Sequence, residues 1–365
     1  MTPRILHLIP TLDRSGTEKQ LCLLAAGLSR AGFDAHVCAL AQGGPLAELL
    51  YAAGIQPTIL EKRWAFDPRV YWNLKRLVDR LRPDVIHAWR CTANAYGLAA
   101  ALGGGVKRFV AGYRCMEPVG SSLRIRIDRE IGRRSTGLVA NSRGVKDFYV
   151  QNGLPEEKFQ IISNAVELPS PPTFTRRQIL EELELPAGSR LIGMVGRLLP
   201  HKRVKDAIWA ADLLKVVRKD VHLLIFGDGP HRDRLRMFRD QVCIGDHVHF
   251  LGVRSDVQRF YPHFDLLWST SAYEGQSNAI LEAMAAGIPV VAGDIPGTRD
   301  LVTHKETGLL VQVGDRGGFA REAHRLLEDA DLARRLGQAG RDRVRREFTV
   351  EKMIGNYIEM YNRLL

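Results

Sequence analysis

Apolar and polar positions along the chain fall into two alternating textures. Short β-branched or apolar runs occupy residues 5–9, 35–40, 85–87, 109–111, 138–140 and 161–162. Between them lie stretches with apolar residues at helical spacing, such as 18–31, 71–81 and 143–152. A short continuous apolar run reads as a strand buried on both faces, and the helical segments supply the covering layers. Strand followed by helix in repetition predicts a parallel sheet with helices on both sides. The rhythm breaks after Asn164, where NAVELPSPPTF carries prolines at 169, 171 and 172. Residues 166–176 are therefore read as an interdomain linker. The alternation restarts at 191–195, 222–226, 248–251, 266–268, 289–292 and 309–311. The expectation is an α/β protein of two Rossmann-like doubly wound domains, 1–165 and 177–349. The domains are expected to face a cleft lined by the carboxyl ends of their strands, where open parallel sheets bind ligands.

Composition agrees with this picture and narrows it. A chain of 365 residues is long for one core. With 45% hydrophobic residues it reads as globular, not disordered. No apolar run approaches the roughly 20 residues that span a bilayer, and RILHLIPTLD turns polar too soon for a secretory signal. The five cysteines are scattered and form no C-x-x-C pair, which reads as reduced thiols in a cytoplasmic protein without a zinc site. The net charge of +11 is uneven: residues 1–166 carry 23 Lys/Arg against 14 Asp/Glu, the remainder 29 against 27. The first half is the one expected to meet an anionic partner. Seven basic residues lie within 62–82, interleaved with Trp64, Phe66, Tyr71 and Trp72, and five arginines lie within 121–134. Val70, Leu74, Leu77 and Leu81, like Leu123, Ile127 and Ile131, recur at helical spacing. Each stripe reads either as a core-facing seam beneath solvated arginines or as a helix touching anionic headgroups or a phosphate-bearing acceptor. No nucleic-acid module accompanies the charge.

The most informative segment is AYEGQSNAILEAMA at 272–285. It places Glu274 in a glycine-containing loop and Glu282 on the apolar helix that follows. If that helix begins near Ser277, the amides of Gln276, Ser277 and Asn278 share a space with Glu274. Unpaired amides and aligned peptide dipoles favour an anion there. A carboxylate beside an anion site suits a ligand with both hydroxyls and phosphates, such as a nucleotide sugar. Two more loops follow predicted strands. Ser15-Gly16-Thr17-Glu18 opens a helix, where glycine lets backbone approach a ligand. Gly196-Arg197 precedes Lys202, and two cations so spaced can clamp a diphosphate. Gly227-Asp228-Gly229-Pro230 reads as a mainly structural turn, because Pro230 suits a helix start.

In order along the chain, SGTE at 15–18, DVIHAW at 84–89, VANS at 139–142 and ISNAVE at 162–167 precede VGRLLPHK at 195–202, FGDGP at 226–230, FLG at 250–252 and EGQSNAILEAMAAGIPVVA at 274–292. This series resembles the retaining glycosyltransferases of GT-B architecture with the Glu-x7-Glu signature (family 4, glycosyl transferases group 1). The resemblance implies a hexosyltransferase that takes its sugar from a UDP- or GDP-linked donor. The acceptor it implies is a glycan or lipid-linked molecule of cell-surface polysaccharide or glycolipid assembly. Gly16 would approach the donor diphosphate, Arg197 and Lys202 would neutralise it, and amides at Ser277 and Asn278 would complete the cradle. Glu274 would accept from sugar hydroxyls, Glu282 would hold the ribose, and His87 would lie near the reaction centre. The last helix, 350–365, would pack back on the first domain. Asp329-Ala330-Asp331 falls between helical patterns and reads as a turn, so no metal and no cofactor are expected.

Three departures concern the acceptor side. Ser15 stands where relatives commonly carry glycine, and Trp89 stands where a polar residue is frequent. Gly112-Tyr113-Arg114 occupies a loop that commonly holds a histidine, leaving Arg114 to bind an acceptor anion or a helix end. A GT-B-like sugar-nucleotide epimerase is the alternative activity. Peripheral contact with an anionic inner membrane face is the expected surface interaction; nucleic acid is not.

Overall fold

All five residues of the strand Val85–Trp89 are buried, as expected at the centre of a sheet covered on both sides. This is a computed structural model, and it describes residues 2–116, 122–169 and 171–365. Ser121, at the start of the second basic stretch, and Ser170, within the proline-rich segment, lie outside the described residues. The chain forms two units, Met1–Ala165 together with Val350–Leu365, and Val166–Thr349.

The first unit holds seven parallel strands: β1 (Arg4–Thr11), β2 (Asp34–Gln42), β3 (Thr58–Ile59), β4 (Val85–Trp89), β5 (Arg108–Tyr113), β6 (Gly137–Ala140) and β7 (Phe159–Ile161). Their order is β3-β2-β1-β4-β5-β6-β7, so the direction of winding reverses between β1 and β4. One face is covered by helices Gly16–Arg30 and Val350–Leu364, whose Leu21, Leu24, Met353 and Tyr357 share a core with Ile5 and Val37. Helices Pro68–Leu81 and Cys91–Gly103 cover the other through Val70, Leu74, Ala93 and Tyr96. Local chemistry sets the helix starts. Asp67 accepts from the amide of Arg69 at 3.2 Å, with Pro68 at the first helical position. Ser142 accepts from the amide of Val145 at 3.1 Å.

The second unit holds β8 (Arg190–Val195), β9 (Val221–Phe226), β10 (Val248–Gly252), β11 (Leu266–Ser269), β12 (Val290–Gly293) and β13 (Leu309–Val311). The order β10-β9-β8-β11-β12-β13 reverses between β8 and β11. A Thr175/Gln178 capping box opens its first helix, Arg176–Glu182. Where the chain enters and leaves this unit, the amide of Val166 donates to the carbonyl of Phe348 at 3.0 Å. Both units are α/β with parallel sheets, as the strand–helix alternation predicts. The two-residue β3 was not anticipated, and Gly112 and Tyr113 belong to β5, not to a loop. Asp329 caps the helix Ala330–Glu347 by accepting from the amide of Leu332 at 2.9 Å, and Asp331 pairs with Arg334 at 2.7 Å.

Candidate active site

At the switch point of the second unit, the loops after β8 and β11 are laced together. Thr270 Oγ1 donates to the carbonyl of Lys202 at 2.8 Å, and the amide of Ala272 donates to that of His201 at 2.7 Å. This brings Lys202 Nζ to 2.6 Å from Glu274 Oε1. Ser271 Oγ also donates to that carboxylate oxygen. Burial works to raise the pKa of Glu274, but the Lys202 charge, with its hydrogen bond and that of Ser271, outweighs it and holds the carboxyl below its usual range. The site thus contains a fixed negative charge beside a fixed positive one. His201 stacks on Tyr273 with centroids 4.9 Å apart. Burial, then the charge of Lys202, pushes its imidazole below the usual histidine range.

Arg197 is exposed and lines, with Gly196, Lys202, Ser269, Ser271 and Ala279, one pocket of this unit. The helix Asn278–Ala285 begins there, with Ser277 at the N-cap in extended conformation and no side-chain cap on the first amides. The positive end of the helix dipole makes this terminus the attractive end of the helix for an anion. Glu282, one turn inward, accepts from the buried hydroxyl of Tyr261 at 2.9 Å. Arg197, Lys202, Glu274, Ser277, Asn278 and Glu282 are therefore grouped around one loop–helix junction.

Glycines allow these loops to approach. A Cβ on Gly227 would lie 2.0 Å from the carbonyl oxygen of Gly196, and one on Gly229 2.6 Å from that of Leu198. Gly227 also has φ 129°, in the region that favours glycine. A Cβ on Gly297 would lie 1.7 Å from the carbonyl oxygen of Gly275 and 2.5 Å from that of Glu274. The turn Pro296–Arg299 is thus the backing plate of the Glu274 loop.

In the first unit, Gly16 is exposed at the start of helix Gly16–Arg30. Its neighbour Ser15 does not cap that helix but donates to the carboxylate of Glu18, which also faces Arg90 Nη1 at 3.4 Å. Burial raises the pKa of Glu18, against the pull of Arg90. The resemblance implies a place near the reaction centre for His87. This residue is fully buried in β4, its Nδ1 shares a 2.6 Å hydrogen bond with the hydroxyl of Tyr361, and its Nε2 has no hydrogen-bond partner. The ring stacks on Trp89 at 4.9 Å, and Trp89 Nε1 donates to His7 Nδ1 at 3.3 Å. Burial, then His7 and Arg114, pushes the His87 pKa well down. Arg114 is buried too. Its guanidinium lies 4.7 Å over the Trp89 ring and donates to Tyr357 Oη at 3.1 Å and Asn164 Oδ1 at 2.5 Å.

Two family models match in tandem. "Glycosyltransferase Family 4" covers residues 14–169 and "Glycosyl transferases group 1" covers residues 175–343. Between them they leave out only 170–174 and the two ends. The chain is a group 1 glycosyltransferase. It is 31% identical over 185 residues to N-acetyl-alpha-D-glucosaminyl L-malate synthase of Bacillus anthracis, covering 50% of this chain and 48% of that protein, so it spans about half the length of that relative. It is 24% identical to the lipopolysaccharide core biosynthesis glycosyltransferase LpsD of Rhizobium meliloti, covering 80% of this chain and 79% of that one. In fold, the transferase is similar to Anabaena HepE, solved in complex with UDP and glucose, with a TM-score of 0.88 at 22% identity over 98% of this chain and 99% of that one. The fold is therefore GT-B.

Sequence reasoning passed over Ser271, Thr270, His201 and Gly297 in this glycosyltransferase. Ser271 and Thr270 sit directly after β11, so a rule that every polar residue ending a strand near a switch point is a candidate would have found them. Gly297 carried no such signal, because its necessity comes from a segment 22 residues away pressing on it.

Proposed function

We propose that this glycosyltransferase moves a hexose-type sugar from a UDP- or GDP-linked donor to a glycan or lipid-linked acceptor of cell-surface polysaccharide or glycolipid assembly, on the cytoplasmic side, with retention and without a metal ion. The observation that carries this is the Lys202–Glu274 pair at 2.6 Å beside the start of helix Asn278–Ala285. Cleaving the bond between the anomeric carbon and phosphate leaves charge growing on the diphosphate. Lys202, Arg197 and the amides at Ser277 and Asn278 are the groups assigned to stabilise it. Glu274, held ionised, accepts hydrogen bonds from sugar hydroxyls, and Glu282 takes the ribose. As the sugar leaves, a phosphate oxygen accepts the proton of the attacking acceptor hydroxyl on the same face. The nucleoside diphosphate leaves with that proton, and the new glycosidic bond keeps the original configuration. Glu274 is assigned to the sugar hydroxyls and not to nucleophilic attack, with Lys202 and Ser271 both holding its Oε1. The acceptor class is supported by the kinship to LpsD, named for lipopolysaccharide core biosynthesis.

A thermal-shift panel of UDP- and GDP-sugars tests the donor, since a bound donor raises the melting temperature by mass action. Stabilisation by one base series is expected, with transfer that survives a chelator. A chelator that abolishes transfer, or a sugar covalently attached to Glu274, would overturn the chemistry. Conversion of donor alone to its epimer would move the enzyme to a different class.

A further inference from the structure

Three aromatic side chains of the first unit stand in solvent where ordinary packing would bury them: Phe66 is 84% exposed, Trp64 60% and Trp72 58%. They lie in the loop before the helix Pro68–Leu81 and in that helix's second turn. The helix buries Val70, Leu74, Leu77 and Val78 on its other side, so the outward aromatics are not needed for its own core. Helix Cys91–Gly103 packs between this helix and Ser122–Arg134, whose first turns expose Leu123 at 64% and Ile127 at 43%. All three helices follow strands of a parallel sheet, so their starts share its carboxyl rim. Phe66 ties the two sides together by stacking on Tyr96 of the middle helix, with centroids 6.4 Å apart.

Cations surround these side chains. Arg69 lies 4.7 Å over the Trp64 ring, Arg63 and Arg76 are exposed, and Arg126 is exposed one turn from Leu123. The acidic residue among the aromatics, Asp67, is buried and answered by Arg69 at 2.8 Å. Large exposed apolar groups rimmed by cations are what an anionic lipid surface recognises. Indole rings settle at the headgroup level while Lys and Arg meet the phosphates. Among the described residues no helix is long and apolar enough to cross a membrane, so contact would be in the interface plane.

We propose that Trp64, Phe66 and Trp72, with Leu123 and Ile127, form an interfacial anchor that docks the first unit on anionic lipid. This bears on the lipid-linked acceptor proposed above but does not depend on the donor. The test is co-sedimentation of the full chain with phosphatidylglycerol/phosphatidylcholine vesicles, without donor or acceptor. The wild type is expected to partition onto the anionic vesicles at least about tenfold better than onto pure phosphatidylcholine. The Trp64→Ser/Phe66→Ser variant is expected to lose at least about tenfold of that binding. Its affinity for nucleoside diphosphate should match the wild type, which checks that it is folded and separates this result from the donor assignment. Equal vesicle binding by wild type and variant, or none by the wild type, would overturn the anchor. So would a variant that changes only the oligomeric state in sedimentation velocity, which would make the patch a protein interface.

Discussion

The two units are built on similar parallel sheets, yet treat their polar residues in opposite ways. In the first unit His7, His87 and Arg114 are sealed beneath the helix Val350–Leu364, whose Tyr357 and Tyr361 supply hydrogen bonds to Arg114 and His87. In the second, Lys202 and Glu274 answer each other beside exposed Arg197. A polar residue in or just after a strand has chemistry to offer only where no later element covers it. Where one does, its hydrogen bonds go to holding that element in place, and leaving them unmade is what costs stability.

The sharpest test of this contrast is at the second unit's cations. Arg197→Ala and Lys202→Ala should each lower turnover by at least about a hundredfold, the usual effect of removing one preorganised charge-stabilising donor. Near-normal rates in both folded variants would remove them from the mechanism. Next comes the backing plate. Gly297→Ala forces a Cβ against the carbonyl of Gly275 and should shift the Glu274 loop. Turnover should fall by more than about tenfold; an unchanged kcat/KM would mean the loop is not held from behind.

Acidification sharpens the other side of the comparison. His7 is held at about 3, by burial and then by His36, against an unfolded value of 6.5. A histidine whose folded pKa is depressed must stay neutral in the fold. Its contribution is therefore intact above pH 6.5 and is lost as pH falls from there towards 3. Each such group contributes a slope of up to about 1.4 kcal/mol per pH unit in that window. His87 acts in the same direction, as does His249 of the second unit, which burial and His222 hold at about 4. Denaturant melts across this range should show stability falling with pH, and His7→Asn should flatten the slope by one histidine's share. A slope unmoved by that substitution would remove His7 from the acid response. The smallest effect concerns the Tyr361 hydroxyl. Tyr361→Phe leaves His87 without its partner and should cost about 1–2 kcal/mol of stability, with little change in turnover. A large loss of turnover at unchanged stability would return His87 to the reaction.

Much of this was legible in the chain. Residues 85–87 and 222–226 read as strands because apolar runs bounded by helical periods leave few alternatives. The paired glutamates and the two cations could be placed because each follows such a run. Thr58–Ile59 was missed because two residues cannot display a period. The burial of His87 was half visible: VIHAW is apolar on both sides of the histidine, as suits a central strand, but the family position drew attention to chemistry instead. The basic helices left two alternatives open, a core-facing seam or a helix touching an anionic surface, because spacing alone does not say which stripe a neighbour covers. Val70, Leu74 and Leu77 form a core seam, while Leu123 and Ile127 from the second stripe face outward. The roles of Gly297 and of Tyr261 beside Glu282 depend on which distant segments meet, a property of the fold that spacing along the chain does not encode.

The bond between His87 and Tyr361 joins residues 274 positions apart. On the ribosome, the first sheet therefore emerges long before the segment that closes over it, and in the interval its histidines and Arg114 are bathed in water. Every residue of the second unit must be synthesised before that gap can be filled. The first unit is thus the earliest to begin and among the last to finish, and a nascent chain stalled before residue 350 would carry a wet, unclosed sheet exposed to chaperones and proteases.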